Sequence, residues 1–570
     1  MVEIAESILR AHSEISVEKK LSEEAILFSL MGKTFLMRLP DQDNPRDTAR
    51  IYLYNDDGFD FPHIMLQEVE INNIDKFPKG SYRYVCLYEQ GSVIHALYSY
   101  EEKIDDATTR LIELMNMGRV AREREFQKEF MFYWNQASSG KPVVNIFLRH
   151  KECFSKMRAF YSKNEIRYIE EELSLSDLER TESGSRVWQQ HLERDIFYIP
   201  ITNCRGILPP HRGYNWTADT IRDIVSGKQI DHISRDTYKT MRGINAKTQD
   251  IVLVFGMHGK EAEVCFAAKI KNTNFCVKNS QSLMDRLCDG ITAVEPLYTK
   301  RKDYLFLSDQ IGNDIGLMDK RVLLIGAGSL GSYVASELVK NGVSDLTIYD
   351  GDVLEEDNIL RWSYTGFGIG CNKAFCLKVL LESIHPEIKV RAEGNNLKEE
   401  MLPQELKESD LIIFTIGSSD QQLYFNQVLK DLNCQIPVLY VWLEEGGRYS
   451  HICLIDYNKP GCYQCLFTGE DENLINNRAN INDEEAASVA IIKNGCGGTR
   501  AAYGTAVLLR TTAALLDIIR KLLSGMIIEN TVIDVLPERI EYQSGIIPVK
   551  GCKCCGNREK KPMCENEASE

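Results

Sequence analysis

The chain has 570 residues, 44% apolar and 26% charged, a mixture that can bury a large core across two or three domains and that excludes a disordered polymer. A formal net charge of −16, from 83 acidic against 67 basic residues, argues against a nucleic-acid surface. No apolar run is long enough to span a membrane, and MVEIAESILRAHSEIS lacks the basic start and apolar run of a signal peptide; a cytosolic (cytoplasmic) protein with no nucleic-acid or membrane partner is expected.

Residues 1–140 read as α+β. SEEAILFSLMG is expected to be helical, and TFLMRLP, ARIYLYN, HIMLQEVEI and YRYVCLYE to be strands. Helical spacing returns from about Asp105 to Trp134, and ASSGKP at 137–142 marks a boundary. Residues 141–310 read as a mixed α/β linker domain. There PVVNIFLRH and DIVLVFGMHG look like strands, KECFSKMRAFYSK like a helix, and EELSLSDLERTESGS like a polar surface excursion. His150, His211, His232 and His258 are scattered without metal-ligand spacing and read as structural or surface residues.

Residues 311–556 alternate strand and helix through RVLLIG, SYVASELVKNG, DLTIYD, AFCLKVLLESIHP, KVRAEGN, DLIIFTIG, VLYVWL and SHICLID. That alternation implies a Rossmann-like α/β domain, a parallel sheet with helices on both faces. Residues 557–570 are charged and are expected to be a disordered tail.

The turn Gly326-Ala-Gly-Ser-Leu-Gly331 joins a buried strand to a helix. Gly326 permits the tight turn, Gly328 lets phosphates approach the backbone, and Gly331 lets the helix pack close to the sheet. The helix N-terminus then faces the phosphates, and Asp350 ends the next strand where a ribose hydroxyl is held. Up to this point a nicotinamide-dependent dehydrogenase fits equally well.

The next stretch separates the two. IYDGDVLEEDNILRW carries Asp352, Asn358 and Arg361, and Lys373 follows just before a helix. This series after a Gly-rich loop resembles the ThiF/MoeB/ubiquitin-activating superfamily, which adenylates carboxylates. Attack of a carboxylate on the α-phosphate of ATP gathers negative charge, which Arg361, Lys373 and Mg²⁺ would offset. The resemblance implies that Asp420, with Asn426 six residues later, holds the magnesium; a helix N-cap is the other reading of Asp420.

Seventeen cysteines do not make a disulfide framework in a reducing compartment. Cys462 with Cys465 and Cys552 with Cys555 form two C-x-x-C pairs, enough for a closed tetrahedral Zn²⁺ site that pins the chain end; two unrelated thiol pairs is the alternative. The glycine after Cys555 favours that pair over one using Cys554. Between the pairs one cysteine remains, Cys496 in KNGCGGTRAAYG, with Arg500 nearby and a long helix following. Those surroundings suit a low-pKa nucleophile, set against a small buried thiol in a turn.

In the first segment, FPHIMLQEVEINN and the later Val85-Cys86-Leu87 resemble the ubiquitin-conjugating fold around its active cysteine, although no His-Pro-Asn precedes Cys86. Cys86 is either an acyl carrier or a core thiol on a strand. The order of segments, with VWLEEGG at 441–447 and NGCGG at 494–498, resembles the activating-conjugating fusions of bacterial anti-phage CBASS operons. That resemblance implies a homodimer through the adenylating domain. It also implies a cyclic-nucleotide synthase (CD-NTase, cGAS-like) whose C-terminus is activated, passed to Cys496 and Cys86 as thioesters, and ligated to lysine amines of protein targets. A ubiquitin-like or sulfur-carrier protein adenylated without conjugation is the alternative, and a nucleotide-binding scaffold is a third reading. An arginine near the start of the adenylating domain often reaches ATP in the superfamily, and Arg301 is the expected match.

Overall fold

The structure is a computed structural model. It describes every residue apart from 56–60, 70–77, 89–94, 150–151, 163–164, 182–188, 191–194, 213, 227–230, 259–262, 273–281, 313–316, 319, 365–367, 470, 472, 483–490, 494–498, 502, 544, 547 and 557–570. The expected tail and Cys496 therefore lie outside the described residues. The chain divides into two compact units, Met1–Glu172 with Arg186–Lys302, and Leu173–Ser185 with Asp303–Glu570.

The first unit holds two sheets. Five antiparallel strands, Ile15–Ser22, Ala25–Leu30, Lys33–Arg38, Arg50–Tyr54 and Tyr82–Val85, pair in sequence order. Helices Val2–Ala11 and Tyr100–Met115 bring Leu9, Ile104, Ala107 and Leu111 into one core with Ile26, Phe28 and Leu30. SEEAILFSLMG is thus a strand and not a helix. Leu27 packs in a second cluster on the opposite face, so both faces of the strand are apolar and the period-2 signal is hidden. Met31 and Gly32, both at positive φ, close the hairpin to Lys33. Among the described residues HIMLQEVEI contributes one bridge, Ile64 to Val85, in place of the expected strand.

The second sheet, nine strands, runs from Val144–Ile146 to Thr299–Arg301. KECFSKMRAFYSK, expected to be helical, instead supplies the strand Ser155–Ser162, which pairs antiparallel with Glu165–Glu170 and Asp195–Ile201. Met157, Ala159 and Tyr161 alternate into one core, a period the adjoining buried Phe160 conceals. The expected break at 137–142 follows helix Phe130–Ala137, whose Phe130 and Trp134 pack with Trp216 and Phe266 in the core of this second sheet. Arg301 is buried on its last strand and ion-paired to Glu263.

The second unit carries an eight-stranded sheet and, among the described residues, a separate pair of short strands at 491–501. Its five parallel strands, Arg321–Ile325, Asp345–Tyr349, Lys389–Glu393, Leu411–Phe414 and Val438–Leu443, are arranged so that the first lies between the second and the fourth. Strand order reverses beside Arg321–Ile325, and crevices at such reversals are where open α/β sheets bind ligands. Three antiparallel strands, Ser450–Ile455, Thr531–Val535 and Ile540–Tyr542, extend the sheet beyond the expected parallel set. No described helix is long and apolar enough to cross a membrane.

Candidate functional site

The Gly-rich turn follows the first parallel strand. Gly326 adopts φ +101°, and a Cβ on Gly331 would stand 1.9 Å from the Gly326 carbonyl oxygen, so close packing at both positions excludes a side chain. A Cβ on Gly328 would meet nothing within 4 Å. Gly328 caps helix Ser329–Lys340 without a side-chain hydrogen bond, leaving the first N–H groups facing open space.

That space is a cavity of about 320 Å³. Gly328, Ser329, Asn358, Arg361, Lys373 and Gly417 line it, with Trp362, Thr415, Trp442 and Tyr503 among its walls. The Arg361 guanidinium lies 5.5 Å from the Tyr503 ring centre, and its buried Nε has no hydrogen-bond acceptor among the described residues. Lys373 Nζ pairs with Asp352 Oδ2 at 2.9 Å, and Asn372 caps the helix that begins at Lys373. Asn358 Oδ1 accepts from Glu355 N at 3.2 Å. An open helix N-terminus, a lysine and an unsatisfied arginine around one cavity fit a nucleotide triphosphate.

Asp350 is buried beneath the turn. Its Oδ2 accepts from Ala327 N at 2.6 Å and its Oδ1 from Asp352 N at 2.8 Å. Burial raises its pKa, opposed by those two N–H donors. It therefore braces the Gly-rich turn, and a ribose hydroxyl would share oxygens that already accept backbone bonds. Asp420 is exposed on the first turn of helix Ser419–Asp431, which Ser418 caps, and is not among the cavity's lining residues. Asn426 does not accompany it: Asn426 is buried against the thiols of Cys554 and Cys462, at 3.1 and 3.8 Å.

The four expected ligand cysteines meet. Cys462, Cys465, Cys552 and Cys555 have all their Sγ atoms within 4.8 Å of one another. The close pairs, 462/465, 462/552 and 465/555, stand 4.0, 3.7 and 3.3 Å apart. Thiolates around tetrahedral zinc stand about 3.8 Å apart for Zn–S bonds of about 2.3 Å, so the donor set fits that ion.

Several participants escaped the sequence reading. Trp362, beside Arg361, donates its indole N–H to Ala327 O at 2.8 Å, and Thr415 Oγ1 donates to Gly326 O at 2.9 Å. Trp442 stacks on His451 and donates to Asn480 Oδ1 at 2.9 Å. The strand pair Ile491–Lys493 and Thr499–Ala501 brackets the segment that contains Cys496.

Residues 314–536 match the ThiF family. The family resemblance is confined to this part of the chain. Beyond it, the chain is 24% identical over 347 residues to the ATP-dependent ubiquitin transferase-like protein Cap2 of Vibrio cholerae, covering 55% of this chain and 56% of that protein. It is 36% identical over 117 residues to a protein of the same description from Enterobacter hormaechei, covering 20% of this chain and 19% of that one. The chain thus spans about half the length, or less, of the curated relatives it matches. Among solved structures, Escherichia coli MccB with SeMet MccA is 19% identical at a TM-score of 0.34, covering 44% of this chain and 69% of that one. The matched stretch contains the Gly-rich turn, the cavity and the first cysteine pair; the second pair follows its end.

Proposed function

We propose that the protein uses ATP to activate the C-terminal carboxylate of another protein as an acyl-adenylate. The observation that carries this reading is the single cavity that gathers Gly328, Asn358, Arg361 and Lys373 beside the strand-order reversal. A carboxylate oxygen attacks the α-phosphorus and pyrophosphate leaves. Arg361 and Lys373 offset the charge that builds on the phosphate, and the N-terminus of helix Ser329–Lys340 holds the chain of phosphates. Zn²⁺ in the four-cysteine cluster is structural; Mg²⁺ would enter with ATP, and Asp420, its expected ligand, is exposed outside the cavity lining and would meet it only at the helix start next to Gly417. The activated protein is a CD-NTase-like synthase in anti-phage defence, and the enzyme works as a homodimer.

The Cys496 thiolate then displaces AMP to form a thioester, the Cys86 thiolate displaces Cys496, and a target lysine amine displaces Cys86 to leave an amide. Incubating the full-length chain with ATP and the modifier is expected to give an adduct lost on reduction. Cys496→Ala is expected to keep ATP–pyrophosphate exchange and lose that adduct. An adduct on Cys86 in that variant overturns the relay order, and absence of exchange with every carboxylate partner overturns activation. A second reading, adenylation without conjugation, is favoured by the half-buried Cys86 thiol, whose pKa burial pushes up. Unchanged product formation by Cys86→Ala would decide for it.

A further inference from the structure

Several groups converge on Cys86. Its backbone N–H donates to the His63 carbonyl at 2.7 Å. His63 holds φ +66°, a conformation uncommon for residues with a side chain. Its Nδ1 stands 3.0 Å from Glu129 Oε1 and its Nε2 3.8 Å from Glu125 Oε2. Tyr133, one turn on from Glu129, is fully buried. The Glu129 charge also acts on the Cys86 thiol, raising its pKa, so the carboxylate that pairs with the imidazole is felt at the sulfur as well. The remaining neighbours are the Tyr84 phenol next to Cys86, Lys128 on Glu125 at 2.7 Å, and Arg122 over the Phe61 ring.

We propose that His63 and Glu129 form the pair that sets the ionisation of Cys86, with His63 as a positioning residue. Only a thiolate attacks a thioester, and an uncompensated carboxylate beside a half-buried sulfur suppresses it. Burial, and after it the Glu129 charge, push the thiol upward, against the lowering contact with the Tyr88 carbonyl at 3.7 Å. A protonated His63 on Glu129 cancels that charge, and its carbonyl fixes the Cys86 backbone. The pair thus supplies locally what the missing His-Pro-Asn motif would otherwise arrange. The inference rests on Cys86 carrying an acyl group.

The test is the pH dependence of iodoacetamide alkylation at Cys86, followed by peptide mass mapping in the full-length chain. Glu129→Gln is expected to lower the Cys86 pKa and speed alkylation at pH 7. His63→Asn, which tolerates the same backbone angle, is expected to raise it and slow alkylation, about tenfold if the pH midpoint of the reaction rises by about one. The double variant is expected to return near the wild type. Midpoints that move in the same direction, or not at all, overturn the pair. If His63→Asn fails to fold, a lower midpoint in Glu129→Gln supports the proposal and an unchanged one overturns it. Opposite movements in a protein that never loads an acyl group on Cys86 retain the pair and overturn the relay instead.

Discussion

His451 Nε2 stands 2.6 Å from Glu444 Oε1, with Asp534 Oδ1 2.6 Å from its other ring nitrogen, all in the interior of the second unit. Glu444 in turn accepts from Ile481 N at 2.6 Å and Asn482 N at 3.0 Å, and Gln543 donates to Asp534 at 2.7 Å. One imidazole therefore ties three strands to the segment at 477–482. His451→Leu leaves two carboxylates buried without their cation and is expected to cost about 3–5 kcal/mol, read as a lowered denaturation midpoint.

The same triad predicts a pH dependence. Burial pushes His451 down, but Asp534 and Glu444 outweigh it and raise its pKa above 6.5. Its stabilisation is complete below 6.5 and is lost as pH rises through the higher folded value. Burial pushes Glu444 up, but His451 and the two N–H donors hold it below 4.5, so its contribution is present above that value and is lost as pH falls through the lower one. Thermal scans are expected to show the wild type losing more stability on the alkaline side than His451→Gln does. Parallel curves would sink the assignment.

Gly328 and Gly331 separate binding from folding. Gly331→Ala drives a methyl into the Gly326 carbonyl and the Thr415 hydroxyl, and is expected to destabilise by about 1–3 kcal/mol. Gly328→Ala meets open space at φ −70° and is expected to leave the melting temperature unchanged. Its methyl stands where phosphates approach, so ATP affinity, measured by calorimetry, is expected to fall at Gly328 alone.

Arg361→Ala is expected to lower the rate of pyrophosphate exchange about 10²–10³-fold, the loss found when one preorganised charge stabiliser is removed. Lys373→Ala is expected to act in the same direction. Both side chains line the cavity and not the hydrophobic core, so circular dichroism and melting are expected to remain near wild type.

The nucleotide cavity was legible because its chemistry lies in one short stretch: Gly328, Asn358, Arg361 and Lys373 fall within a single strand–turn–helix unit and its next loop. The cysteine cluster was legible from two short pairs although ninety residues separate Cys465 from Cys555. Ala25–Leu30 was misread because its apolar residues face two cores, and Ser155–Ser162 because buried Phe160 stands between the inward Ala159 and Tyr161, which removes the alternation that marks a strand. Asn426 was misplaced because six-residue spacing on a helix sends two side chains to different sides, Asp420 outward and Asn426 to the thiols. The His451 triad joins positions 444, 451 and 534, a juxtaposition only the folded sheet creates.

The four-cysteine cluster separates neighbouring cysteines sharply. Cys555→Ser removes a cluster thiol and is expected to lower bound zinc, measured by plasma mass spectrometry, and to destabilise the protein. Cys554 points at Asn426 and is outside the cluster, so Cys554→Ser is expected to retain one zinc per chain.

Helix Ser419–Asp431 starts two residues after Gly417, in the wall of the cavity, and two turns later Asn426 touches the cysteines. Asn426 Oδ1 also accepts from Tyr463 N at 3.2 Å, between the first two thiols of the cluster. With zinc in the cluster, metal content is expected to act as a hidden variable in any titration of nucleotide. A preparation grown without enough zinc would behave as a mixture of strong and weak binders with no change in its sequence, and the weak fraction would recover on remetallation.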